Sequence, residues 1–377
     1  MRVLLAFDKF KDALSARQAC DIAAAALRTR HPNWTLDPCP LTDGGEGFLE
    51  TLTEALDGRY DHRSVVGPRD RNVSASIGLV GADRLPAPVR EILPVPSGTV
   101  LAIVGLASGS GIELLAPDRR DPWHTTTFGT GELLHLAAGR KVGAILLGLG
   151  GSATNDLGLG ALAALGLRCL RAGGRAVVIP TPATWPEIAR LAGRVELPPV
   201  FIACDVANPL LGPHGATATF GPQKGLRAED FSRLEGEMAR MAGMLCGHFR
   251  RPESLAAAPG TGAAGGIGFG LMVAAGAKLV SGFELVSRWL DLPARLAAAD
   301  LVVTGEGRYD VTSLGGKGPG AIAAEARRQG KKVRIFAGSL GVPADAEHQA
   351  ITPAGVPLPD ALRRAPELLA AAVARLL

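Results

Sequence analysis

Lysine is scarce in this chain. Of 40 basic residues only 8 are lysine and the other 32 are arginine. The arginines alternate with acids, form no basic block and leave a formal net charge of +4, so a nucleic-acid partner is not expected. Cysteine is sparse too. The five cysteines form no C-x-x-C pair, and none has a histidine at metal-ligand spacing. A structural zinc site is excluded, and the odd count fits free thiols in a reducing, cytoplasmic setting. Long apolar runs are missing. No stretch approaches the ~18 residues needed to cross a bilayer, and the apolar run before Asp8 is too short for a secretory signal, so no membrane partner is expected. The phosphate-binding pattern G-x-x-x-x-G-K-[ST] is absent, G-x-S-x-G occurs only in broken form, and Ser97 and Ser108 have no convincing histidine partner.

What is present is an α/β rhythm. At 377 residues and 47% hydrophobic content the chain can bury the cores of two domains. Short apolar runs alternate with Ala/Leu-rich helical stretches. Strands are expected at Val3–Phe7, Thr35–Leu41, Val142–Leu147, Pro199–Ala203, Leu301–Thr304 and Val333–Ala337. Ser15 is the expected N-cap of a helix over Ala16–Arg30. The style changes near residue 60 and returns near 285. Residues 1–60 and 286–377 are therefore read as one doubly wound parallel-sheet domain, with 61–285 inserted in it as a second α/β domain.

In open parallel sheets, ligands gather beyond the carboxyl ends of the strands. Here those ends carry Asp8, Lys11, Asp43, Glu46, Glu306 and Asp310. So many acids in one crevice call for a cation, and Mg²⁺ with a phosphate substrate is the natural partner. Each acid taken singly could equally cap the helix after it. Lys11, Lys224 and Lys317 sit beside glycines or turns, where backbone N–H groups and an ammonium make an anion site. The turn Gly150-Gly151-Ser152 and the run Thr125–Gly131 could cradle an anion through their backbones. Gly148-x-Gly150-x-x-Ala153 follows a strand as a dinucleotide turn does, but residues 165–180 hold no acid for a ribose.

The segments DKFKDALSA (8–16), DGGEG (43–47), GGSATND (150–156), ACDVANPL (203–210), FGPQKG (220–225), GAAGG (262–266), TGEGRYD (304–310) and GKGP (316–319) follow one another along nearly the whole chain. Together they closely resemble the bacterial glycerate kinases of the first type. The resemblance implies a flavodoxin-like domain with an inserted α/β domain, and ATP-dependent phosphorylation of D-glycerate with Mg²⁺, typically at the 2-hydroxyl. It further implies direct in-line transfer in an inter-domain cleft that closes to exclude water. On that reading Lys11 and Lys317 neutralise phosphate charge, and Asp205 or Asp310 orients the hydroxyl and takes its proton. Arg308, Asn208 and Asp156 bind the substrate, with Arg308 gripping its carboxylate. Gly150, Gly151, Ser152 and Lys224 hold the nucleotide, and Asp43, Glu46 and Glu306 supply the Mg²⁺ ligands. The sequence departs from the family at Lys9, where serine is usual, at Gly105, where an acid is usual, and at Val311-Thr312, where Ser-Gln is usual. Two other readings stay open: an NAD(P)-dependent dehydrogenase of a small hydroxy acid built on the Gly148 turn, and a non-catalytic sugar-acid sensor.

Overall fold

The structure, a computed structural model, describes residues 1–42, 44–311, 313 and 318–375. Its strands in chain order begin with β1 (Arg2–Phe7), β2 (Thr35–Pro38), β3 (Arg59–Val66), β4 (Asn72–Gly81) and β5 (Val100–Gly105). Next come β6 (Ala144–Gly148), β7 (Arg168–Leu170), β8 (Ala176–Val177), β9 (Arg190–Ala192) and β10 (Val200–Ala203). The last are β11 (Lys278–Val280), β12 (Leu301–Tyr309), β13 (Lys332–Leu340) and β14 (His348–Ala350). By contact the chain divides into two compact units, Met1–Asp43 with Val286–Leu377, and Gly44–Leu285. Residues 44–60, read from the sequence as part of the terminal domain, group with the second unit.

The first unit is built on a parallel sheet of order β14-β13-β12-β1-β2. From β1 the chain turns to one side to form β2 and comes back on the other side as β12. Val3 lies opposite both Leu36 and Leu301. Val3 through Phe7 are wholly buried, the continuous apolar run of a parallel strand covered on both faces. Helix Ala16–Arg30 starts where Ser15 and Gln18 form a reciprocal capping box: Gln18 N donates to Ser15 Oγ at 3.2 Å and Ser15 N to Gln18 Oε1 at 2.9 Å. Its Ala19, Cys20, Ala23 and Leu27 join Leu368, Leu369 and Ala372 of helix Ala365–Val373 in one core with β1. Burying Leu27 contributes about 2 kcal/mol, and Leu27→Ala would cost more because a cavity remains.

β12 and β13 run further than their composition suggests. Gly305, Gly307 and Gly338 read as turn residues, yet all three lie inside strands. The reason is crowding. A methyl on Gly305 would come 1.7 Å from Phe336 O, and one on Gly338 would come 2.4 Å from Gly307 O. The added length carries the Glu306 and Arg308 positions along the sheet instead of into a loop, with Arg308 opposite Ser339.

The second unit holds a six-stranded sheet of order β11-β10-β6-β5-β4-β3 and a small sheet of order β8-β7-β9. In the larger sheet β5, β6, β10 and β11 are parallel, while β3 and β4 form an antiparallel edge. Helix Phe231–Phe249 buries Leu234, Met238, Met241, Ala242 and Leu245, a single stripe at helical spacing. That stripe shares a core with Leu147, Ile202, Trp185 and Phe269.

Candidate active site

In the first unit a cavity of about 660 Å³ opens at the carboxyl ends of β1 and β12. Asp8, Lys9, Lys11, Glu306, Arg308 and Ser339 line one side of it. These are the ends between which the chain reverses its direction of sheet growth, the crevice where open parallel sheets bind ligands. The turn after β1 is tied down locally, with Phe10 N donating to Leu14 O at 2.8 Å and Lys9 N to Asp8 Oδ1 at 2.7 Å. Gly307 lets that turn approach β12, since a methyl there would come 3.0 Å from Lys11 N. Lys11 is exposed, and Arg308 is paired with Asp310 through Nε to Oδ2 at 3.1 Å. Four of the candidates named from sequence (Lys11, Glu306, Arg308 and Asp310) thus lie at or just beyond the carboxyl ends of the adjacent strands β1 and β12. Lys317 and Asp43 lie outside the described residues.

In the second unit two glycine turns meet. Gly150 N donates to Gly44 O at 2.8 Å, and a methyl on Gly150 would come 2.4 Å from Gly45 Cα. Only glycine allows that contact. The Glu46 carboxylate lies against Gly151, where an added methyl would come 2.4 Å from Oε1. Beside these turns is a smaller cavity of about 200 Å³, lined in part by Glu46, Gly105, Ser108 and Glu113. Gly150–Asn155 is not an open cradle, however. Besides the Gly150 amide, that of Ala153 is taken, by Ser110 O at 2.9 Å, and Ser152 is buried and bridged to Gly111.

Asp156 and Lys224 also differ from expectation. Both side chains are buried, so neither offers a substrate or a phosphate an open contact. Asp156 Oδ2 accepts from Thr127 N at 2.7 Å, Thr127 Oγ1 at 2.8 Å and Gly160 N at 3.2 Å, and Oδ1 accepts from Gly158 N at 3.2 Å. Burial pushes this carboxyl above its ordinary range while the four donors pull it back. Within the Thr125–Gly131 run the Thr127 amide and hydroxyl are spent on the protein's own Asp156. Lys224 Nζ donates to Thr154 O at 2.6 Å, and burial pushes the ammonium down to about 7 while Asp156 draws it upward. The two side chains lock the GGSATND loop from inside.

Asp205 follows β10 and has both oxygens engaged: Ser281 Oγ donates to Oδ1 at 3.0 Å and Phe283 N to Oδ2 at 2.8 Å. It anchors the start of helix Gly282–Trp289, the capping role that any single acid here could have had. Asn208 braces its own loop, donating to His214 O at 2.8 Å and Thr219 Oγ1 at 3.2 Å. Among the described residues no group of three His, Cys, Asp or Glu side chains stands close enough to hold a metal ion. Glu306 at the first cavity is an oxygen donor of the sort Mg²⁺ uses when it arrives with a polyphosphate and keeps most of its waters. No helix of the described residues is long and apolar enough to cross a membrane.

The profile of the "Glycerate kinase family" matches residues 3–377. The glycerate kinase of Bacillus subtilis is 35% identical, over 98% of this chain and 95% of its own. The glycerate 2-kinase of Escherichia coli is 35% identical, over 93% of this chain and 88% of its own. A crystal structure from Salmonella typhimurium LT2, named for glycerate kinase 2, superposes with a TM-score of 0.76 at 36% identity, covering 99% of this chain and 96% of that one. The mixed α/β fold with its parallel sheets is thus shared with a solved relative, the acid- and lysine-bearing strand ends lie within the matched span, and the chain is a kinase that belongs to the glycerate kinase family.

Proposed function

We propose that the protein phosphorylates D-glycerate with ATP, giving 2-phosphoglycerate and ADP. The observation that carries this reading is the match to named glycerate kinases along nearly the whole chain, beside a cavity whose charged side suits phosphate chemistry. The first unit is read as flavodoxin-like, since its strands in their own order run 2-1-3-4-5, and the second unit as an insertion in it.

In the proposed reaction the substrate hydroxyl oxygen attacks the γ-phosphorus in line. The new P–O bond forms as the bond to the β,γ-bridging oxygen breaks, and ADP leaves with that electron pair. Lys11 and Lys317 neutralise phosphate charge. Arg308 grips the glycerate carboxylate, for which its guanidinium has a matched fork of donors. The hydroxyl proton goes to Asp310. Asp205 is the weaker candidate because both of its oxygens already serve a helix start. Glu306 and Asp43 are the proposed Mg²⁺ ligands, and Mg²⁺ when bound supplies positive charge to the phosphate oxygens.

The test is ADP release by the purified chain with D-glycerate, ATP and Mg²⁺, with the phosphorylated position read by ³¹P NMR. Turnover that EDTA abolishes and a product carrying phosphate on its 2-oxygen are expected. A folded sample that turns over no hydroxy acid would overturn the reading. Turnover of a different hydroxy acid but not glycerate would overturn the substrate alone.

A further inference from the structure

The cavity of the first unit has two unlike sides. The charged side comes from the ends of β1 and β12 and carries Lys9, Lys11 and Arg308 together with Asp8, Asp12 and Glu306, carboxylates that a phosphate chain would meet with a bound Mg²⁺ between. The other side is apolar and comes from a different stretch of chain, with Ile351, Val356, Leu358 and Leu362, interrupted by the single polar side chain of Thr352. Leu358 is 70% exposed. At about 660 Å³ the space falls in the range that holds a drug-sized ligand and far exceeds what a three-carbon acid fills.

We infer that this cavity is the nucleotide subsite, with the phosphates toward Lys9 and Lys11 and the purine ring against the Ile351–Leu362 wall. The inference rests on the kinase reading above and adds to it where the base sits. Of the two proposed substrates only the nucleotide has both a flat apolar ring and a chain of negative charges. Glycerate is polar throughout and has nothing to place against four aliphatic side chains. Among the described residues of the second unit, the cavity beside the glycine turns is about 200 Å³, another of about 370 Å³ is lined by Arg63, Phe128, Glu132 and His135 with no lysine, the amides of Gly150 and Ala153 are spent on protein carbonyls, and Lys224 is sealed inside. An apolar wall with one hydroxyl is the usual make-up of a base pocket: surface contact supplies affinity, and one or two polar groups fix orientation.

The experiment is calorimetric titration of the full-length protein with ADP, beside steady-state kinetics for both substrates. Leu358→Asp places a charge on the wall at an exposed position, so the fold is not at stake. Leu362→Ala trims the wall without adding charge. Val178→Asp makes the same charge change in the second unit, where Val178 is 73% exposed. Leu358→Asp is expected to weaken ADP at least tenfold, about 1.4 kcal/mol, and to raise KM for ATP in parallel. Leu362→Ala should weaken ADP several-fold. KM for glycerate should stay within twofold in both, and Val178→Asp should leave ADP affinity unchanged.

ADP affinity that stays at the wild-type value in both wall variants would overturn the subsite, as would a rise in glycerate KM with ADP unaffected. The two readings fail separately. Wild type that binds ADP and loses it in Leu358→Asp, yet never phosphorylates glycerate, would support the subsite and sink the glycerate assignment. Turnover with ATP that is indifferent to both wall variants would do the reverse.

Discussion

One methyl group tests whether the two glycine turns of the second unit are held in contact. In Gly150→Ala the new carbon would sit 2.4 Å from Gly45 Cα and 2.5 Å from Gly45 N, against an ordinary carbon contact of about 3.5–4.0 Å. The turns must separate by roughly 1 Å, which stretches the 2.8 Å bond from Gly150 N to Gly44 O. Overpacking costs about 1–3 kcal/mol and the weakened bond about 1 more, so a loss near 3 kcal/mol is expected. At about 2–4 °C per kcal/mol for a unit of this size, Tm should fall by roughly 6–12 °C. Gly247→Ala is the matched control. Gly247 is an exposed position of helix Phe231–Phe249, and an added methyl there meets nothing within 4 Å. The same substitution should then stabilise by about 0.5–1 kcal/mol, because alanine loses less entropy in a helix. Scanning calorimetry of both variants reads the two signs directly. If the turns belong to the catalytic machinery, kcat/KM of Gly150→Ala should also drop about a hundredfold at a temperature where the variant is folded. A Tm for Gly150→Ala within 2 °C of wild type, or a common direction for both variants, would refute the reasoning.

Lys224 sets a pH dependence. Its ammonium is lowered from 10.5 to about 7 by burial, so between those values the unfolded chain holds more protons and this group makes stability rise with pH. The Tm of wild type minus that of Lys224→Met should therefore increase from pH 7 to pH 9, and a flat or falling difference would count against the assignment. Asp156→Ala strands four buried donors and should cost about 4 kcal/mol or more in urea denaturation; a loss below 1 kcal/mol would show that the donors find other partners. Asp310→Asn should lower kcat about a hundredfold or more with little change in Tm, while Asp205→Asn should lower Tm and leave kcat within tenfold. The opposite pattern would move the general base to Asp205.

How much of this could be read from the sequence depended on how local each signal was. The helix at Ala16–Arg30 was legible because its cap is written in Ser15 and Gln18, three residues apart. β1 and the start of β12 were legible as short unbroken apolar runs. The extension of β12 through Glu306 was not, because glycine usually marks a turn, and here Gly305 and Gly307 instead make room for Phe336 and for the turn at Lys11. Lys224 misled for a related reason: flanking glycines suggested an open loop, while the carbonyl that accepts its hydrogen bond lies 70 residues earlier in the chain. Asp205 is bonded to residues 76 and 78 positions away, so its capping role was equally hidden. The apolar wall at Ile351–Leu362 carries no motif at all. It acquires meaning only once the sheet order puts it across from Lys11.

The pairing of β1 with β12 has a cost in time. Ala6 O accepts from Thr304 Oγ1, a partner 298 residues further along the chain. On a ribosome adding about 5–20 residues per second, that partner arrives roughly 15–60 s after Ala6 is made. Meanwhile the nascent chain carries an apolar strand whose β12 side has no partner, the kind of edge that invites wrong pairing. The long second segment, by contrast, has the strand partners of both its sheets within itself. Refolding of the first unit should be the slower phase, and the nascent chain should need shielding of its first forty residues while the rest is made. A circular permutant opened near residue 286, with the old ends joined, would bring β12 and β1 within one short stretch of synthesis. That chain should shed the slow phase while keeping the same sheet.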